Sequence, residues 1–274
     1  MRADLHVHSS YSDGNMSVDE IKEYAKTKGL SVIAITDHDN LESRYDIERL
    51  NDDILLLIGV ELSTYHNGEN VHILGYFNNN KIITEEVVNY LNELKVNREH
   101  RIYEIIAKLK DFYNIIIEYK DIEKFADGAL GRVHVAKAIS EKYGCTIDEA
   151  FDRYIGNSAK AYVQTTNFAT KDAIDFLHRN NGIAVMAHPG HIKKNNIEEI
   201  VKLGVDGIEV YYPDHNSDDV SKYLETANKY NLLITGGSDF HGINIRADLG
   251  TSTINDSDII NLLDKLSIKK GLFI

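Results

Sequence analysis

The sequence predicts an α/β domain with an all-helical insertion. Short apolar runs alternate with amphipathic segments, which is the pattern of βα units packed around one sheet. From about residue 80 to residue 168 the pattern is helical throughout. The 274 residues are 43% hydrophobic and 27% charged, a globular composition that excludes disordered and fibrous classes. We therefore assign residues 1–79 and 169–274 to a barrel or sheet domain and residues 80–168 to an insertion domain.

The strand predictions rest on apolar runs bounded by turn residues, and the helix predictions on apolar spacings of three to four residues. The first helix is the best defined, because Ser17 and Glu20 form a capping box and Gly29 can supply a left-handed residue after the last turn. The predicted strands span residues 3–7, 31–36, 54–62, 70–77, 182–187, 206–210 and 232–235. The other predicted helices span residues 85–110, 132–143, 146–154, 171–179, 197–202 and 218–229.

Charge, cysteine content and hydropathy exclude several functional classes. The chain has 30 Lys and Arg against 43 Asp and Glu, a net charge of −13, which disfavours a nucleic-acid coat or a basic membrane-surface protein. Cys145 is the one cysteine, which fits a reducing compartment. The N-terminal residues lack a signal-peptide core, and no apolar run approaches 18 residues. We expect a cytoplasmic protein without a membrane partner.

Histidine and carboxylate side chains follow at least five of the predicted strands. They are His6, His8, Asp37, His38, Asp39, Glu61, His188, Asp239 and His241. The carboxyl ends of parallel strands open onto one mouth, so these side chains are expected to converge there. Nitrogen and oxygen donors without thiolates suit Zn²⁺, Mn²⁺ or Fe²⁺. Asp37 is expected to orient an imidazole through its second nitrogen.

Seven short motifs occur in order between residue 4 and residue 241. They are His6-Val7-His8 with Asp13-Gly14, Thr36-Asp37-His38, Gly59-Val60-Glu61, Val71-His72-Ile73-Leu74-Gly75, Gly131-Arg132-Val133-His134, Ala187-His188-Pro189-Gly190 and Gly237-Ser238-Asp239-Phe240-His241. Together they resemble the polymerase-and-histidinol-phosphatase (PHP) family. The resemblance is greatest to a bacterial branch of nucleoside 3′,5′-bisphosphate phosphatases and 5′→3′ exoribonucleases, which carries a small helical insertion.

The resemblance implies a distorted seven-stranded (β/α) barrel with two to three divalent ions, Mn, Fe or Zn. Carried over by position, the first ion would take His6, His8, Glu61 and Asp239, the second Asp13, His38 and His241, and the third Glu61, His72 and His188. Three divalent ions against three carboxylates would leave the pocket at about +3, so a phosphate is attracted locally. A hydroxide bridging two ions is expected to attack phosphorus.

Other residues are candidates for contact with the substrate. Arg132 and His134 open a predicted helix of the insertion and are interpreted as catalytic, substrate-binding residues that reach over the ions. Arginine offers bidentate phosphate geometry, although an Arg at a helix start can equally pair with solvent. Arg98, with Arg101, faces either the same cleft or solvent. His191 either contacts the substrate or belongs only to its loop.

The predicted function is hydrolysis of a phosphate ester of a small nucleotide, or of a short 5′-phosphorylated oligonucleotide. Long nucleic acid is not expected, because Lys and Arg form no basic stripe in the sequence. Histidinol-phosphate phosphatase is an alternative that shares the metal motifs, but the Gly-Arg-x-His motif favours the nucleotide branch. A non-catalytic PHP regulatory module is a third possibility, and the complete set of ligand-capable residues weighs against it.

Overall fold

The computed structural model describes residues 1–50, 53–79, 83–125, 130–164 and 168–268. Within these ranges seven strands form one sheet whose spatial order follows the sequence. The strands are β1 (Ala3–Val7), β2 (Val32–Ile35), β3 (Leu55–His66), β4 (Glu69–Phe77), β5 (Ile183–Met186), β6 (Gly207–Tyr211) and β7 (Leu233–Gly236). Neighbouring strands are parallel, except that β4 is antiparallel to both β3 and β5. The predicted α/β class is confirmed.

The sheet curls into a nearly closed barrel, because the segment after β7 returns to β1. Val7 pairs with Phe240, which lies four residues beyond the end of β7. One extra residue on β1 between Asp4 and Val7 breaks the register with β2. Such a bulge re-aims the side chains around it, and His6 lies within this bulge. The predicted seven-stranded barrel is confirmed, and β1, which carries the first motif, lies where the sheet nearly closes.

The third strand is longer than predicted, because it forms a hairpin with β4. Residues 58–66 pair with residues 69–77. The turn residues Asn67 and Gly68 both have positive φ, 43° and 87°. Asn-Gly is the preferred pair for a two-residue turn of this kind, which matches the twist of the strands. The expectation that Glu61 closes its strand was wrong, since Glu61 lies within the paired region.

Ten α-helices are present in the described ranges. They are α1 (Val18–Thr27), α2 (Arg44–Leu50), α3 (Glu85–Tyr113), α4 (Tyr119–Glu123), α5 (Arg132–Tyr143), α6 (Ile147–Ala150), α7 (Thr170–Arg179), α8 (Ile197–Val201), α9 (Ser217–Tyr230) and α10 (Asp256–Lys265). A π-helical turn follows α6, and a 3₁₀ turn, Pro189–His191, follows β5. The capping box of Ser17 and Glu20 is confirmed. Helices α2, α4 and α10 were not predicted, and α2 and α4 are too short for a clear periodic signal.

The apolar core is divided between the barrel and the helices that follow β4. One cluster within residues 102–161 is built only from this helical segment and excludes every strand. Helix α3 contributes to both parts, because Val87 and Leu91 pack in the barrel cluster whereas Ile102 and Ile105 pack in the helical one. This separate core supports the predicted insertion domain, whose bounds stay a prediction. No helix in the described ranges is long and apolar enough to cross a membrane.

Candidate metal centre

Glu61 lies at the centre of a histidine–carboxylate cluster inside the barrel. Alternate residues of β3 face the same side, so Glu61 continues the face that carries the core residues Leu55 and Leu57. Its Oε1 lies 2.7 Å from His72 Nδ1 and 2.9 Å from His188 Nε2. Glu61 is 1% exposed, so its charge is compensated by these neighbours and not by water.

The second oxygen of Glu61 faces three other imidazoles. Oε2 lies 2.9 Å from His38 Nδ1, 3.3 Å from His8 Nε2 and 3.4 Å from His6 Nε2. Three groups of donor atoms, each group within 4.8 Å, can be drawn from these residues and their neighbours. The groups are His6, His8, Glu61 and Asp239; His8, Asp13, His38 and His241; and His38, Glu61 and His72. The structure thus brings all nine predicted ligands together, with His188 against Glu61.

Several donor atoms of the cluster are buried and have no hydrogen-bond partner among the described residues. They are His6 Nε2, His8 Nδ1 and Nε2, Asp13 Oδ1, His38 Nδ1 and Glu61 Oε2. Buried polar atoms are normally satisfied, and each orphan calls for an explanation. Imidazole nitrogens and carboxylate oxygens that converge without bonding one another suit a divalent transition ion. The residues present therefore fit the ions that the sequence predicts.

The cluster also shifts the pKa values of its own members. Burial opposes ionisation of Glu61, Asp13 and Asp239, but the surrounding histidines outweigh burial and hold the pKa of each carboxyl well below its ordinary value. Burial lowers the pKa of His6 and His8, but the adjacent carboxylates outweigh it and raise both. A cation must displace protons from such imidazoles, so its affinity is expected to fall as the pH falls.

Glu209 is a buried carboxylate that the sequence analysis missed. It lies on β6, where its Oε1 is 3.1 Å from His6 Nδ1 and its Oε2 accepts the backbone N–H of His188 at 2.7 Å. A carboxylate at Nδ1 keeps the proton there and leaves Nε2 free as a donor to a metal. The available signal was a single charge between Ile208 and Val210, since charged residues are rarely fully buried without a partner.

We expect Glu209→Gln to weaken metal binding by about 10- to 100-fold while the protein stays folded. The amide can still contact His6, but it does not enforce the Nδ1–H tautomer or compensate a buried charge. Titration with Mn²⁺ against a competing chelator measures the affinity, and circular dichroism checks the fold. The exposed Glu225→Gln on α9 is the control. An unchanged affinity in Glu209→Gln would contradict this role.

Asp239 is fixed in a strained conformation by two partners. Its φ is 52°, a left-handed value that non-glycine residues adopt at a cost, and His188 shares this feature with φ 25°. Tyr212 donates its hydroxyl to Asp239 Oδ2 at 2.8 Å, and Arg246 donates to the same oxygen at 2.5 Å. The other oxygen lies 3.1 Å from His8 Nε2. The partners thus direct Oδ1 towards the histidines.

The prediction for Asp37 was wrong. Its carboxylate accepts the backbone N–H of Ser9 at 2.8 Å and the hydroxyls of Ser9 and Ser12 at 2.7 Å each. It therefore has no imidazole as its hydrogen-bond partner within the described ranges. The short side chain reaches the serines of the adjacent loop first, and it fixes the loop that carries Asp13.

Three arginines from the helical segment face the cluster across a cleft of about 720 Å³. Arg132 donates to Asn157 Oδ1 at 2.9 Å, and its guanidinium lies 5.3 Å from the centre of the Tyr162 ring. Arg98 forms an ion pair with Asp39. Both arginines line the cleft, so the structure brings these two predicted substrate contacts next to the predicted metal ligands.

Arg101 is the third of these arginines, and its side chain is buried. It is 7% exposed, its Nε donates to the backbone oxygen of Val163 at 3.0 Å, and its Nη2 has no partner among the described residues. Burial, with smaller effects of Arg132 and Arg98, lowers its pKa to about 9, so it remains charged at pH 7. A buried guanidinium whose Nη2 has no partner among the described residues is suited to bind an anion.

His134 and His191 lie at different depths. His134 is buried, and its Nδ1 accepts the N–H of Gly131 at the start of α5, so its proton lies on Nε2. Burial lowers its pKa to about 4, so the ring is neutral at pH 7. His134 is not among the residues that line the cleft, whereas His191 lines it, with its ring centre 4.7 Å from that of His188. The roles of both in catalysis or binding stay predictions.

The chain is similar to a known protein family and to several characterised proteins. The PHP domain model matches residues 4–234. A 5′-3′ exoribonuclease of Haemophilus influenzae is 32% identical over 87% of this chain and 89% of its own length. A phosphoribosyl 1,2-cyclic phosphate 1,2-diphosphodiesterase of Eggerthella lenta is 29% identical over 88% of this chain and 95% of its own. A 3′,5′-nucleoside bisphosphate phosphatase of Chromobacterium violaceum is 29% identical over 87% and 86%.

The fold has a solved counterpart. A protein of Bifidobacterium adolescentis superposes with a TM-score of 0.82 at 24% identity, over 96% of both chains. The match extends over the barrel and the helical segment alike, so the whole architecture is shared.

Proposed function

The chain belongs to the PHP domain family and is a metal-dependent phosphoesterase, and from this premise we propose its substrate class. The substrate is a phosphate ester of a small nucleotide, such as a nucleoside 3′,5′-bisphosphate, or a short 5′-phosphorylated oligonucleotide. The observation that carries the proposal is the pairing, in one cleft, of the histidine–carboxylate cluster with the guanidinium groups of Arg98, Arg101 and Arg132.

The nine clustered residues hold two to three divalent ions in this proposal. When bound, the ions lower the pKa of water and neutralise charge that develops on phosphoryl oxygens. The protein's own residues then orient the ester. Arg101 and Arg132 bind phosphate oxygens, Glu209 holds His6 in its ligating tautomer, and Tyr212 with Arg246 fixes Asp239. This division leaves hydrolysis to the barrel and substrate selection to the insertion.

A bisphosphate or a phosphorylated oligonucleotide explains the arginines better than histidinol phosphate does. One phosphate at the ions needs no further cation, whereas two phosphates need a second anion site. The relatives named above act on a nucleoside bisphosphate, RNA or a phosphoribosyl cyclic phosphate, which supports a nucleotide-type substrate. Short substrates are favoured because three arginines face the cleft, whereas the protein as a whole has a net charge of −13.

A substrate screen with Mn²⁺ tests the proposal. We expect adenosine 3′,5′-bisphosphate or a short 5′-phosphorylated oligoribonucleotide to be hydrolysed with the highest kcat/KM, and histidinol phosphate much more slowly. The oligonucleotide series is measured at two ionic strengths, because an extended nucleic-acid track would raise kcat/KM with length and lose that gain in salt. Preference for histidinol phosphate would overturn the proposed substrate class.

A further inference from the structure

A second pocket of about 380 Å³ adjoins the metal cleft. It lies between the segment 38–45, which follows β2, and the first half of α3. His38 and Arg98 line both cavities, so the ion pair between Arg98 and Asp39 stands where they meet. A substrate whose phosphate lies beside His38 has its next chemical group at the entrance of this second pocket.

The lining of the second pocket suits a planar ring. Leu41, Val88 and Leu91 supply apolar walls, and two tyrosine rings complete them. Pockets of 300–1,000 Å³ with apolar walls and a few polar groups are typical small-molecule sites. The carboxylates of Asp39 and Glu42, which also line it, pair with Arg98 and Lys95, and Arg44 is the third cation of the lining. Most of the charge in this pocket is therefore already neutralised within the protein.

Tyr45 is held at the edge of this pocket as an exposed aromatic surface. Its side chain is 62% exposed, so most of the ring is accessible to a ligand. The guanidinium of Arg44 lies 4.2 Å from the ring centre, and its Nη2 donates to the Tyr45 hydroxyl at 2.6 Å. Arg44 is itself fixed by donation to the backbone oxygen of Leu41 at 3.0 Å. The ring is therefore positioned before any ligand arrives.

The second tyrosine is fixed from two directions. Tyr11 donates its hydroxyl to Asp46 Oδ2 at 3.1 Å, and its backbone oxygen accepts from Asn40 Nδ2 at 2.7 Å. Two ordered rings on one small pocket resemble the stacking surfaces on which proteins bind bases of single-stranded nucleic acids.

We infer that the second pocket binds the nucleobase of the substrate, with Tyr45 as its stacking surface. This inference rests on the proposed function, since it assigns the base of the same nucleotide whose phosphate lies at the cluster. The base lies one sugar away from the phosphate, which is the relation that the shared residues His38 and Arg98 provide. The pocket then makes binding depend on a base but only weakly on its identity.

Tyr45→Ala tests this assignment with two substrates that differ only in the base. Base stacking contributes enough that its loss is expected to raise KM for adenosine 3′,5′-bisphosphate about 5- to 100-fold. KM for the abasic tetrahydrofuran 3′,5′-bisphosphate should change less than about twofold, because this substrate has no aromatic base to stack. Tyr45→Phe should keep most of the affinity. Tyr103→Ala on α3, which removes a comparably exposed ring outside both cavities, is the matched control.

Direct binding separates this inference from the proposed function. Calorimetry with adenosine, which carries no phosphate to hydrolyse, should give binding to the wild type that Tyr45→Ala weakens. If the wild type hydrolyses the bisphosphate but Tyr45→Ala changes neither its KM nor adenosine binding, the base lies elsewhere and the inference is overturned. If no phosphate ester is hydrolysed yet Tyr45-dependent adenosine binding remains, the proposed function fails and the pocket assignment stands.

Discussion

Glu61→Gln is expected to abolish most metal binding and to lower kcat/KM by at least about 10³-fold, because metal-ion catalysis contributes several kcal/mol to the transition state. Both carboxylate oxygens lie close to imidazole nitrogens. His72 and His188 are near Oε1, and His38 is near Oε2. The substitution keeps the shape of the side chain but removes the negative charge from two of the three donor groups. Glu61 contacts five histidines of the cluster, which are His6, His8, His38, His72 and His188.

Elemental analysis of the purified protein measures the number of ions per chain, and hydrolysis of adenosine 3′,5′-bisphosphate measures activity. Glu99→Gln, an exposed change on α3, is the control and should match the wild type. Thermal unfolding followed by circular dichroism separates loss of metal from loss of fold. A Glu61→Gln protein with full metal content and full activity would contradict the predicted ligand set, in which Glu61 belongs to two donor groups.

The cluster could be predicted from the sequence because its members are local to strand ends. His6 and His8 are two residues apart at the end of β1, and motif order alone places Asp239 and His241 together after β7. Because the carboxyl ends of parallel strands converge at one mouth, these separate pairs are predicted to meet in one site. The position of Glu61 within its strand was not predicted in this way, since the turn at Asn67-Gly68 extends β3 beyond Glu61 into a hairpin. That pair was a readable turn signal.

The partners of the cluster were not predictable in the same way. Glu209 contacts His6, which is 203 positions away in the sequence, and no residue pattern around β6 indicates this partner. Asp37 had two plausible partners, an imidazole or the serines after β1, and only the path of the loop decides between them. Such choices depend on tertiary geometry, which residue types and spacing do not fix.

The cationic wall of the cleft shows the same limit. Arg98 and Arg101 are three residues apart on a long helix, so sequence places them on one face without saying what the face meets. Arg132 comes from another helix, and the three meet only because α3 and α5 pack in the same helical core. The sequence shows no basic stripe, yet the fold concentrates positive charge beside the predicted metal ligands.

Removal of Arg101 and Arg132 together is expected to give the second large effect. A hydrogen bond to a charged group contributes about 1.5–3 kcal/mol, so loss of both should raise KM for adenosine 3′,5′-bisphosphate by about 10²- to 10⁴-fold. Arg101→Met keeps the volume of the buried side chain, and Arg132→Ala removes its guanidinium. A generic aryl phosphate, which has one phosphate for the ions, should lose far less. The measurement is KM and kcat for both substrates in the single and double variants.

The unfolding temperature is an independent readout for the variants of Arg101 and Arg132. Among the described residues, Nη2 of Arg101 has no partner, and replacing an uncompensated buried charge by an apolar side chain is often neutral or stabilising. We therefore expect Arg101→Met to unfold at the same or a higher temperature while it binds the bisphosphate more weakly. Arg153→Met, an exposed change in the same helical segment, should alter neither property. Equal losses on both substrates would mean that Arg101 and Arg132 serve the chemistry or the fold, because a guanidinium that binds only the second phosphate cannot matter to a substrate that lacks it.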